Sequence, residues 1–186
     1  MHSTTRLNDL RADFLATSTQ SMPIAGILYW AVVAVAALRV TPQQLAYIVG
    51  FGSGTIFPLA LLVDRLRGRT IRRSSTSNPV TQMFLQSLAV VALLWPLVLI
   101  AAFQAHSANL IVLGGAILMG IIWIPYGWAA NDPVGLRHAI ARCILSYACF
   151  LFVPAPYTAS AISIAVLLCY LYSLIFMRKS PVEVRS

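Results

Sequence analysis

The sequence predicts an all-α fold: a six-transmembrane-helix bundle with a short N-terminal amphipathic interfacial helix and both termini cytoplasmic. Three observations predict it. Hydrophobic residues make up 59% of the 186 residues and charged residues only 10%, against about 25% charged in soluble domains. Six apolar stretches each approach the ~20 residues needed to span a ~30 Å hydrocarbon core. Twelve of the thirteen Lys and Arg residues then fall on one side of those stretches. A soluble fold with so few charges could not cover its surface, whereas a bundle solvated by lipid has no such need.

Residues 1–21 form the N-terminal segment. Leu7, Leu10, Phe14 and Leu15 share one face at helical spacing, with Arg6, Asp9 and Asp13 elsewhere. That pattern suits a helix lying in the headgroup plane; the alternative is a frayed polar tail. The apolar run that follows is long enough to span. It reads as a retained first helix rather than a cleaved signal.

The transmembrane domain covers 22–177, with spans at about 22–38, 44–63, 80–103, 108–128, 136–153 and 157–177. Pro23 suits a first helical turn, and Arg39, Thr41 and Pro42 end the first span. Connections are short except for Asp64 to Pro79, which reads as an exposed loop. Residues 178–186 form the tail.

The charge pattern sets the orientation. Arg6 and Arg11 precede the first span; Arg65, Arg67, Arg69, Arg72 and Arg73 lie in the long loop. Arg137 and Arg142 open the fifth span, and Arg178, Lys179 and Arg185 fill the tail, leaving Arg39 alone on the other side. The positive-inside rule then predicts a bacterial inner-membrane protein with both termini and the long loop in the cytoplasm. In a soluble chain a net charge of +8 would suggest nucleic acid. Here it predicts the bilayer and its anionic headgroups as partners, and no nucleic acid. Small-residue helix faces add a homo-oligomer or a second membrane protein as a partner class.

Catalytic, cofactor and metal residues are not predicted. The chain lacks HExxH, GxSxG, a Walker motif and any carboxylate in mid-span, and proton-coupled transport usually needs such a carboxylate. Cys143, Cys149 and Cys169 lie in apolar stretches without CxxC spacing and read as packed thiols.

Two sets of residues stand out inside the spans. In the second span, Gly50 and Gly54 are four apart and Pro58 follows. The spacing predicts close helix packing, with a kink or hinge as the alternative. In the fourth span, Trp123, Pro125, Tyr126 and Trp128 read as an aromatic belt or as a bent helix end that shapes a cavity. Tyr29 and Trp30 lie deeper in the first span and are expected to face the interior. The polar set comprises Asp64, Asp132, Arg137, His138 and Arg142. Arg142 is expected to snorkel to the headgroups or else to pair with Asp132 or Asp64. His138 is expected to be a hydrogen-bonded structural residue.

The hairpins also echo each other faintly. Gly50 follows Trp30, and Gly115 follows Trp95, by twenty residues in both cases, and each second helix then carries Gly and Pro. Parallel repeats of this kind build several transporter folds.

Asp13-Phe14-Leu15 through Gly26 and Trp30, then Phe57-Pro58-Leu59, then Pro125-Tyr126-Gly127-Trp128 together carry a resemblance. The chain resembles an uncharacterised family of small bacterial multipass inner-membrane proteins. The resemblance implies a multipass topology and no known activity. In that family a His commonly stands three positions before the Pro-Tyr-Gly-Trp element; here Ile122 stands there. The functional expectation is a membrane protein without enzymatic activity, a small transporter or channel-like module. The alternatives are a structural or regulatory membrane partner and, last, a lipid-headgroup enzyme using Asp132, His138 and Arg142.

Overall fold

The structure is a computed structural model that describes residues 6–19, 21–68 and 78–178. It is all-α. Among the described residues the helices are α1 (Leu7–Thr17), α2 (Met22–Ala36), α3 (Pro42–Gly52), α4 (Ile56–Leu66), α5 (Pro79–Gln104), α6 (Ala108–Ile121), α7 (Trp123–Ala130), α8 (Val134–Phe152) and α9 (Thr158–Phe176). A turn of 3₁₀ helix, Ser53–Thr55, joins α3 to α4, and Ile122 alone separates α6 from α7.

Five helical runs are long and apolar enough to cross a membrane: Pro42–Leu66, Pro79–Gln104, Ala108–Ala130, Val134–Phe152 and Thr158–Phe176. The expected first span is shorter than the sequence suggests. Helix α2 has 15 residues, about 22 Å at 1.5 Å per residue, less than a hydrocarbon core. It reaches spanning length only together with α1, which meets it at a 49° bend. The Arg residues at 69, 72, 73 and 185, and Lys179, lie outside the described residues.

The bundle is centred on α9, which packs against α2, α8 and α6, while α8 also packs on α6 and α7. Trp30, Ile111, Val112, Ile162 and Val166 are wholly or almost wholly buried here. Helix α5 is peripheral: it leans on α6, and its outer face exposes Leu93, Leu97 and Ile100. In water such a surface would drive aggregation; in a bilayer it is solvated by acyl chains.

Helix α1 forms on its expected face but packs against the bundle. Phe14 is buried, with its ring edge-on to Phe84 at 5.3 Å and to Tyr126 at 5.9 Å. Asn78 fastens the same helix by donating to the Leu10 carbonyl (2.9 Å) and to Asp13 Oδ2 (2.7 Å). Its Oδ1 meanwhile accepts from the Val80 N–H and caps α5.

The turn between α7 and α8 depends on two glycines. A Cβ on Gly127 or Gly135 would collide with the backbone of the other helix, so only glycine permits this approach. Asn131 ends α7 in the left-handed conformation at φ 52°, and the Asp132 N–H bonds back to the Gly127 carbonyl at 2.8 Å, as a Schellman-type helix end requires.

An intramembrane cleft and a buried cationic core

The regular α-helix of the second and fourth spans is interrupted, by the 3₁₀ turn and by Ile122, while the backbone stays helical, and each break in regularity has a proline two residues inside the following helix. Pro58 is the third residue of α4 and Pro125 the third of α7. Proline lacks an N–H and its ring crowds the carbonyl four residues earlier, here that of Gly54 and of Ile121. It is tolerated in a first turn, so the chain restarts each helix just ahead of it. In lipid the groups freed by a break need partners. Thr55 Oγ1 donates to the Gly52 carbonyl at 2.6 Å, and Tyr29 Oη to the Ile48 carbonyl at 3.1 Å. A third proline, Pro96, lies inside α5 and deprives the Ala92 carbonyl of its ladder bond.

These interrupted helices wall one cleft of about 640 Å³, a volume typical of small-molecule sites. Gly50, Gly54, Ala92, Ile122, Trp123 and Tyr126 all line it, and the surface is overwhelmingly apolar. Thr17, Ser18, Thr19 and Thr81 add hydroxyls toward the α1 end, and the Thr81 hydroxyl is buried without a partner among the described residues. Helix α4 packs on α2 rather than on α5. Phe51, Phe57 and Leu85 on the two sides of that gap line the cleft and are more than half exposed. The cleft therefore opens sideways, toward the region that lipid would occupy.

Close packing through Gly50 and Gly54, the reading the spacing favours, is not what the structure shows. A Cβ on Gly54 would meet nothing within 4 Å, and one on Gly50 only Leu99 at 3.4 Å. These glycines serve the break and the cleft, because α4 has no neighbour on that side. The close approach occurs instead at Gly114, against Val98, and at Gly115, against Trp95 and Val49.

The aromatic element divides. Trp123 and Tyr126 are buried and face the cleft; Trp128 is 44% exposed, with the Arg11 guanidinium 5.1 Å from its ring, as in an interfacial belt. Tyr29 and Trp30 are buried in the bundle as expected, but neither they nor Pro58 and Pro125 line the cleft.

The polar candidates do not gather at one site. Asp64 is wholly buried and accepts hydrogen bonds from the hydroxyls of Thr19 and Ser21, the latter at 2.7 Å. It ties the α1–α2 connection to α4. Asp132 is a cap: Oδ1 accepts the Val134 N–H at 3.0 Å and Oδ2 the Arg178 N–H at 2.7 Å. Arg137 is exposed. His138 and Arg142 do meet, one turn apart on α8 and both fully buried.

Arg142 neither snorkels nor bonds to Asp132 or Asp64. Its place in Val134–Phe152 is close to mid-helix, too far for an easy return to the headgroups, and its stem lies over Gly120, with Cδ 3.1 Å from where a Cβ would be. Nε donates to the Ala116 carbonyl at 2.6 Å. The guanidinium carbon sits 5.3 Å from the Trp30 ring and 5.0 Å from the Tyr170 ring. Two desolvated cation–π contacts at about 2 kcal/mol each and one charged hydrogen bond at about 2 kcal/mol are of the same order as the several kcal/mol needed to bury the ion. Even so, Nη1 and Nη2 have no partner among the described residues.

His138 is the hydrogen-bonded structural residue expected. Its Nδ1 pairs with Ser173 Oγ at 2.7 Å, and its ring stacks on Trp123 at 4.2 Å and meets Tyr170 edge-on at 5.1 Å. Tyr170 escapes a reading of the sequence, since one Tyr among seven in an apolar chain carries no distinguishing pattern. It lines the cleft and also carries the Arg142 charge on its ring.

No curated protein and no solved structure matches this chain. A family model does match, across residues 7–179. The chain, a multipass membrane protein, thus belongs to the family of unknown function DUF7010.

Proposed function

We propose that this protein is a non-enzymatic inner-membrane module that takes an apolar or amphiphilic molecule from the bilayer into the α4–α5 cleft, as a small transporter does. The cleft carries the reading: it is apolar, opens sideways, and is walled by broken helices that can change shape. A channel for polar solutes would be lined by polar groups. The lining therefore favours a carrier of apolar cargo within the transporter and channel-like class.

The orientation proposed has both ends and the 64–79 connection in the cytoplasm. Arg178 bonded to Asp132, and Arg11 stacked on Trp128, gather basic residues at the end opposite Arg39, which supports it. Single cysteines at Leu38 and Ser186, in a chain with Cys143, Cys149 and Cys169 replaced by Ala, test it. An impermeant maleimide added to whole cells should label the first position and spare the second.

The cleft is tested with a photoactivatable fatty-acyl phospholipid in nanodiscs. Crosslinks should concentrate at Phe57, Leu88 and Ala92 and fall severalfold in Ala92→Trp, which fills the space. Labelling equally dense on the outward Leu93 and Leu97 would reduce the cleft to ordinary lipid contact and overturn the proposal.

A further inference from the structure

The core around Arg142 gathers several buried polar groups that lack a partner among the described residues, His138 Nε2 among them. Nη1 and Nη2 of Arg142, the Trp30 indole N–H and the Ser146 hydroxyl are the donors in this set, all buried without a partner among the described residues. Ser146 lies one turn beyond Arg142 on α8, on the same face, and is itself wholly inaccessible. Trp30 presents its ring to the guanidinium. The Ala116 carbonyl takes only Nε, and neither Asp64 nor Asp132 bonds to the guanidinium. A buried cation whose remaining N–H groups face no carboxylate calls for an anionic acceptor.

We propose that Arg142, with the Trp30 N–H and the Ser146 hydroxyl, forms a buried site for a small monovalent anion of the halide class. The single positive charge sets the ion's valence. Trp30, Tyr170 and Ala116 around the guanidinium are themselves buried, which favours a small ion over phosphate or a lipid headgroup. Tyr170 lines the cleft and also holds the guanidinium against its ring, which puts the cleft next to the site as its route of entry. The site is independent of whether the cleft carries an amphiphile.

The purified wild-type protein in nanodiscs is titrated with bromide against gluconate at constant ionic strength, with thermal unfolding as the readout. Bromide should raise the midpoint saturably, as a ligand of the native state does, and gluconate should not. Arg142→Gln should weaken the response by about tenfold or more, the effect of losing a charge-assisted bond, while Arg142→Lys keeps a response. Ser146→Ala, which removes one hydroxyl and no charge, should weaken bromide binding with the fold intact, and serves if Arg142→Gln does not fold. Equal wild-type responses to bromide and gluconate would leave water as the acceptor and overturn the site. So would an undiminished bromide response in Arg142→Gln or in Ser146→Ala.

Discussion

Trp123 and His138 stack with ring centroids 4.2 Å apart and planes 19° from parallel, and the same indole lines the cleft. Trp123 thus stands, together with Tyr170, between the apolar cleft and the polar core. Trp123 opens α7 directly after Ile122, on the face that packs over α8. Truncation should join the two compartments. Trp123→Ala should cost about 3–5 kcal/mol, as for other large-to-small core changes. It should also expose His138 to diethylpyrocarbonate, which mass spectrometry of the wild type would find unreactive at that ring. Trp123→Phe, which keeps a ring in place, should protect His138.

The Tyr170 ring fills the space that a side chain at Gly26 would need. Helices α2 and α9 approach closely only because position 26 is glycine. Gly26→Ala gains helix propensity of about 1 kcal/mol but forces the ring off its contacts with Trp123, His138 and Arg142. Overpacking of this kind costs about 1–3 kcal/mol, so the steric effect should win. Thermal unfolding in detergent should show a lower midpoint for Gly26→Ala, whereas Gly54→Ala, with open space around it, should be neutral or stabilising.

Asp64 holds the α1–α2 connection through the hydroxyls of Thr19 and Ser21. Its carboxylate is buried at the end of α4, a helix that packs mainly on α2 among the described residues. Asp64→Ala would strand two buried hydroxyls, at about 1–3 kcal/mol for each group left unsatisfied. Amide exchange in residues 18–22 should rise sharply in this variant while the α8–α9 pair remains protected. Uniform loss of protection would instead mark Asp64 as a determinant of the whole bundle.

What the sequence made legible follows from what is local. The apolar runs, the break before Pro58 and the inward turn of Tyr29 and Trp30 each depend on residues near in the chain. Arg142 was not legible as a buried ion, because its fate depends on partners from three other helices: Ala116, Trp30 and Tyr170. The spacing of Gly50 and Gly54 misled for the complementary reason. Four-residue spacing permits close packing only where a second helix arrives, and α5 stands away from α4. The first span is shorter than its apolar run because helix α2 ends at Ala36, where hydropathy alone would continue to Leu38, and it reaches spanning length only with α1.

Pro58 acts where two effects on the second span meet. Its ring disfavours a straight helix through Gly54 by about 3 kcal/mol, and Gly50, Gly52 and Gly54 each add a smaller bias against regular helix. With Ala at both 54 and 58, the missing N–H returns and the backbone gains about 1 kcal/mol at position 54. The 3₁₀ turn Ser53–Thr55 should then convert to α-helix, making Pro42–Leu66 one regular helix. Three residues going from about 2.0 Å to about 1.5 Å of rise each shorten the run by about 1.5 Å, so spin labels at Tyr47 and Leu66 should move slightly closer in double electron–electron resonance, and acyl crosslinking at Phe57 should fall in the same variant. An unchanged distance would mean that packing on α2, rather than the proline, sets the 3₁₀ turn.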